Sequence, residues 1–83
     1  MKVTTFDIEF NYKDRKFKAS CQKFQVHNYP QIRVAVDRGR KDPDIYVFYD
    51  VKGEKHRYFW FKLPDIREQI ARVIAKSMAK VDK

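Results

Sequence analysis

The first part of the chain alternates apolar and polar side chains, as a half-buried β-strand does. The apolar positions of the first run are Phe6, Ile8, Phe10 and Tyr12. They predict a strand at about residues 3–12, followed by a second at about 15–26. A two-residue turn at Lys13-Asp14 would set Phe10 opposite Phe17 and Glu9 opposite Lys18. This register is favourable, since apolar side chains lie opposite apolar ones and opposite charges pair.

The alternation changes phase within the second strand. Cys21 has the parity of the earlier apolar residues, whereas Phe24 and Val26 have the opposite parity. Such a slip predicts a β-bulge or a sharp bend near Gln22-Lys23, which would help the sheet to curl. A third alternating run predicts a strand at about 31–38.

The hairpin that follows is apolar at both parities. Its strands are predicted at about 44–51 and 54–62, joined by a two-residue loop at Lys52-Gly53. That loop sets Asp50 opposite Lys55, whereas a three-residue loop would set it opposite Glu54, a like charge. The preferred register also places Tyr58 opposite Val47.

The chain ends with the periodicity of an amphipathic helix at about 65–81, with Asp65 and Glu68 in a variant of the capping box. Five strands in a meander followed by one helix predict an α+β fold. We expect a curled five-stranded antiparallel sheet, with the helix packed on its concave face, in a single domain spanning residues 1–83.

One helix cannot easily cover both sides of the aromatic hairpin. The more apolar parity is assigned to the helix side: Tyr46, Phe48, Phe59, Phe61 and Leu63. The other parity leaves an aromatic face as the candidate partner-binding set: Tyr49, His56, Tyr58 and Trp60. Aromatic residues are enriched at the centres of protein interfaces.

Composition and charge indicate in which compartment the protein is expected. The chain carries a formal net charge of +8, spread evenly along its length, and a single cysteine, Cys21, that cannot form an intrachain disulfide. Its start lacks the apolar run of a signal peptide, and no segment has the roughly 20 apolar residues of a membrane span. We therefore expect a soluble cytoplasmic protein with no membrane partner.

No motif predicts a reaction, a metal or a cofactor. Asp44, Asp50 and Lys52 have the residue types of a metal-dependent nuclease, but the two carboxylates would lie about 20 Å apart along one strand. His27, His56 and Cys21 lack the spacing of a metal site. Neither of the two glycines belongs to a phosphate-binding loop. We therefore expect no catalytic, metal-binding or cofactor-binding residues.

Two binding functions remain, beside a monomer whose rings all turn inward. The leading hypothesis is a small non-enzymatic domain that contacts a protein, or a second copy of itself, through the aromatic face. The alternative is binding of single-stranded DNA or RNA through the same face together with a basic loop, Arg38, Arg40 and Lys41.

Overall fold

A computed structural model shows the fold, described for residues 2–25, 30–39, 41–51, 53 and 57–81. The strands and the helix are β1 (Val3–Tyr12), β2 (Arg15–Phe24), β3 (Gln31–Val36), β4 (Asp44–Asp50), β5 (Tyr58–Phe59) and α1 (Asp65–Val81). The strands form one antiparallel sheet in the order β1-β2-β3-β4-β5. The sheet curls into a half-barrel and is followed by the single helix, which confirms the predicted α+β fold.

The first hairpin has the predicted register. Phe10 lies opposite Phe17, and Glu9 lies opposite Lys18. The turn residues Lys13 and Asp14 have φ angles of 48° and 61°. Two consecutive positive φ angles are typical of the type I′ turn, whose twist matches that of the flanking strands.

The predicted bulge in β2 is wrong. The ladder with β1 runs without interruption from Val3–Phe24 to Tyr12–Arg15, and the ladder with β3 is equally regular. The phase change in the sequence has another cause. Lys23 takes a core-side position because its amine binds the buried carboxylate of Asp50 at 3.0 Å, and Phe24 lies on the opposite face under the guanidinium of Arg33. Val26 lies outside the described residues.

The predicted register of the second hairpin is also wrong. Asp50 lies opposite Tyr58 and Tyr49 opposite Phe59, and the amide of Val51 donates to the carbonyl of Arg57 at 2.7 Å. Asp50 is therefore paired three residues further along the chain than predicted, with Tyr58 instead of Lys55. Because the shift is an odd number of residues, it moves every side chain of β5 to the other face of the sheet.

Strand β5 is shorter than the predicted range 54–62, of which 54–56 lie outside the described residues. The chain leaves the ladder after Phe59 and is bound by Glu68 of α1 on the helix side. One carboxylate oxygen of Glu68 accepts the indole N–H of Trp60 at 3.0 Å, and the other accepts the amide of Leu63 at 3.1 Å.

The core lies between the concave face of the sheet and α1. The helix contributes Ile70, Ala71, Ile74 and Met78, all at most 5% exposed. The first turns of the helix are hydrogen-bonded to two strands. Arg67 donates to the carbonyl of Ile45 in β4 at 2.8 Å, and Gln69 accepts from the hydroxyl of Tyr12 in β1 at 2.9 Å. One face of the sheet is thus covered. We call the opposite side the open face.

Candidate interaction surface

The open face carries a cluster of exposed rings at its β4–β5 side. Tyr49 lies 6.4 Å from Phe59 and 6.0 Å from Phe61, and the rings of Phe59 and Phe61 are 5.7 Å apart, all measured between ring centroids. Ile45 and Val47 continue the same face along β4. We call these five residues the aromatic patch.

The patch is accessible to solvent. Phe61 is 68% exposed, Phe59 53% and Ile45 43%. Scattered exposed apolar residues are normal in a folded protein, whereas the largest contiguous apolar patch of a protein often marks a contact surface. The mutual ring contacts of Tyr49, Phe59 and Phe61 make this group contiguous.

The structure divides the predicted partner-binding set. Tyr49 lies on the open face as expected, whereas Tyr58 is buried in the core at 6% exposure. Trp60 packs edge-on against Phe48 with its centroid at 5.5 Å, also on the helix side. His56 lies outside the described residues. The assignment of Tyr58 and Trp60 to the open face was therefore wrong.

The set of residues predicted to face the helix is also only partly right. Tyr46 and Phe48 are buried beneath α1 as predicted, but Phe59 and Phe61 lie on the open face. Alternation alone missed this exchange, since apolar residues occupy both parities. The neighbouring charges did not decide the register either, because Asp50 meets a cation in both: Lys55 in the predicted register and Arg57 in the observed one.

Charge is distributed unevenly over the open face. The β1–β2 side is polar and includes an ion pair in which the amine of Lys16 lies 3.1 Å from the carboxylate of Glu9. The hydrogen bond and the charge of Lys16 lower the pKa of Glu9. The aromatic patch itself contains no charged side chain, and Arg33 beside it stacks over the ring of Phe24 at 5.7 Å. The patch thus resembles the centre of a protein interface, where charged residues are depleted.

The basic loop does not adjoin the rings of the patch. Arg38 forms an ion pair with Asp44 at 3.2 Å and stacks over the core-side ring of Phe17 at 5.8 Å. Lys41 is exposed, and Arg40 lies outside the described residues. Asp44 and Tyr49 are five residues apart on β4, so the loop and the rings are separated by about 17 Å.

The acidic residues singled out from the sequence do not come together. Asp44 and Asp50 occupy opposite ends of β4, and Asp50 is bound by Arg57 and Lys23. Burial raises the pKa of Asp50, but hydrogen bonds from Arg57 and Lys23 and their charges outweigh it, so that the net shift is downward. Cys21 is buried, and desolvation raises the pKa of its thiol to about 12.

The described part of the chain contains no group of three or more His, Cys, Asp and Glu side chains arranged to hold a metal ion. Nor does its helix have the length and apolar character needed to cross a membrane.

Comparison with known proteins adds no constraint on function. No protein-family model matches the chain, and no significant match occurs among the curated proteins or the solved structures.

Proposed function

We propose that the protein is a non-enzymatic interaction domain that pairs with a second copy of itself through the aromatic patch. The observation that carries this proposal is the contiguous cluster of Tyr49, Phe59 and Phe61, uncharged and accessible to solvent. Burying such rings removes apolar area from water, which is the main driving force of association.

A second copy is favoured over a polyanion because the patch has no charge of its own. A nucleic acid is bound chiefly by cations that neutralise its phosphates. The cation of the basic loop that is best positioned, Arg38, is already paired with Asp44 and lies far from the rings. Two apolar patches related by a twofold axis need no charge complementarity, and every ring is used twice in such an interface.

The size of the patch predicts weak, reversible pairing. A buried aromatic side chain removes about 200 Å² from water, so the exposed fractions of Phe59, Phe61 and Ile45 correspond to roughly 300 Å² of apolar surface. A standard interface buries about 800 Å² on each partner. The dimer is therefore expected to dissociate in the micromolar range or above.

The net charge gives the pairing a distinctive dependence on salt. Each protomer carries a charge of +8, so two copies repel one another at low ionic strength. Screening shortens the range of this repulsion from about 14 Å at 50 mM to about 4 Å at 500 mM salt. Self-association should strengthen as salt is added, whereas binding to a nucleic acid or an acidic protein should weaken.

Sedimentation velocity tests the proposal, at protein concentrations from about 10 µM to about 1 mM and at the two salt concentrations. The weight-average mass should rise with concentration, and more steeply at high salt. Phe59→Ser and Phe61→Ser should abolish the rise. The matched control is Ile66→Gln, which removes an equally exposed apolar side chain from α1, at 62% exposure, and should leave the rise unchanged.

Three results would overturn self-association through the patch. One is a monomeric mass under all of these conditions. The second is a mass that rises at low salt and falls at high salt, and the third is a mass that responds equally to Ile66→Gln and Phe61→Ser. Thermal unfolding of each variant shows that any loss of pairing is not a loss of folding.

A further inference from the structure

A groove runs between β5 and the second half of α1, on the helix side of the sheet and away from the aromatic patch. Its volume is about 580 Å³, within the range of small-molecule sites. The lining side chains come from the end of the sheet and from two successive turns of the helix: Arg57, Tyr58, Trp60, Arg72, Ala75, Lys76 and Ala79. This combination of aromatic, cationic and very small residues has no role in the proposed self-association.

One wall of the groove is a ring held in a fixed orientation. The indole N–H of Trp60 donates to Glu68 at 3.0 Å, and the ring meets the ring of Phe48 at an interplanar angle of 71°. The helix contributes Ala75 and Ala79 to the lining, which lie one helical turn apart and have no bulk to fill the space. A ring of fixed orientation together with two small helical side chains leaves room for a planar group.

The groove is cationic, and none of the described residues that line it is acidic. Arg57 is committed to Asp50. Arg72 and Lys76 lie one turn apart on the exposed side of α1, and within the described residues neither has an ion pair or a side-chain hydrogen bond.

Arg72 has no carboxylate partner among the described residues, although a glutamate lies nearby. Glu68 lies four residues earlier in α1, a spacing at which a glutamate can pair with an arginine. Its two carboxylate oxygens accept from Trp60 and from the amide of Leu63, and neither forms an ion pair with Arg72. The guanidinium of Arg72 is therefore available to a ligand at the edge of the groove.

We propose that this groove binds a nucleotide, with its base against Trp60 and its phosphate on Arg72 and Lys76. Guanidinium groups bind phosphate through paired, charge-assisted hydrogen bonds, and aromatic side chains stack on any base. A fatty acid fits less well, since the open groove has no deep apolar cavity to enclose its chain. The nucleotide can be free or part of a single strand, and the chemistry of recognition is the same for both.

Trp60 is the single tryptophan of the chain, so its fluorescence reports directly on the groove. The probes are AMP, a short oligothymidylate and inorganic phosphate, each titrated at low and moderate salt. Saturable quenching by AMP assigns the site to free nucleotides, and quenching by the oligonucleotide alone assigns it to single strands. Inorganic phosphate lacks a base, so it should bind far more weakly than whichever of AMP and the oligothymidylate binds more tightly.

Arg72→Gln and Lys76→Gln should each raise the dissociation constant about tenfold, since each removes one charge-assisted contact. Both residues are exposed on the helix, and glutamine preserves its helical propensity. Lys80→Gln removes the same charge from α1 outside the groove and is the matched control. It should change the affinity by less than about twofold.

Three results would overturn the nucleotide site. They are the absence of saturable quenching by either nucleotide probe, equal effects of Lys80→Gln and Arg72→Gln, and phosphate binding as tight as that of AMP. Phe61→Ser lies on the other face and should leave the quenching intact. Failure of the nucleotide site is therefore distinguishable from failure of self-association.

Discussion

The carboxylate of Asp50 accepts two hydrogen bonds from the guanidinium of Arg57, from Nε at 2.8 Å and from Nη2 at 3.1 Å. The amine of Lys23 approaches the same carboxylate at 3.0 Å from β2. Asp50 is only 1% exposed, and a buried charge is tolerated when its hydrogen-bonding capacity is filled in this way. The contact joins the two strands of the second hairpin to β2 and helps to fix the register that sends Tyr58 inward and Phe59 outward.

Asp50→Asn should destabilise the protein by about 3 kcal/mol, because it leaves two partly buried cations facing a neutral group. The measurement is equilibrium unfolding in urea at neutral pH. Asp42→Asn provides the control, since Asp42 is exposed and forms no ion pair within the described residues. A loss of less than about 1 kcal/mol for Asp50→Asn would contradict a strong contribution from this contact.

The carboxylate of Asp50 should make the protein less stable at acid pH. The folded state lowers the pKa of Asp50 below its ordinary value of 3.8, so the folded protein holds its proton less tightly than the unfolded chain. The stabilisation is fully present above about pH 5 and is lost as the pH falls through 3.8 and then through the folded pKa. Urea unfolding between about pH 2 and 7 should show this decline, and Asp50→Asn should make it shallower.

Asp14→Gly should stabilise the first hairpin by roughly 0.5–1 kcal/mol. Asp14 has a φ of 61°, in the left-handed region where a side chain is unfavourable and glycine is preferred at the second position of a type I′ turn. It forms no ion pair within the described residues that the substitution would remove. The free energy of unfolding in urea measures the effect.

Gly39→Ala is the complementary change, expected to destabilise by about 1 kcal/mol. Gly39 has a φ of 75°, and a methyl group added there would meet no atom within 4 Å, so the cost arises from the backbone alone. If the two substitutions shift stability in the same direction, the backbone argument fails.

The sequence predicts the fold well where alternation is clean. In the first hairpin, apolar residues occupy a single parity, so a slip of one residue would expose the core, and the register of Phe10 against Phe17 follows. Helix α1 is equally well determined, because its apolar stripe has one period and its predicted bounds match the observed Asp65–Val81.

The open face could not be predicted because the second hairpin is apolar on both sides. A slip there exchanges one aromatic set for another, and hydrophobicity cannot choose between them. The choice depends on Asp50, whose second cation, Lys23, comes from a strand that is not adjacent to β4. A contact of this kind depends on the three-dimensional curl of the sheet. The misplacement of Tyr58 and Trp60 follows from the wrong register of this hairpin.

Cys21 should be inert toward thiol reagents in the folded protein. It is 1% exposed, and desolvation followed by the charge of Asp7 raises the pKa of its thiol to about 12, so almost no nucleophilic thiolate is present at neutral pH. With the disulfide reagent DTNB at about pH 8, the native protein should react orders of magnitude more slowly than the chain in denaturant, whose thiol has a pKa near 8.5. The reaction then requires opening of the core. Asp50→Asn should therefore accelerate labelling by the same factor by which it raises the equilibrium constant of unfolding. Rapid native labelling, or a rate that is indifferent to Asp50→Asn, would place Cys21 in a part of the sheet that opens independently of the core.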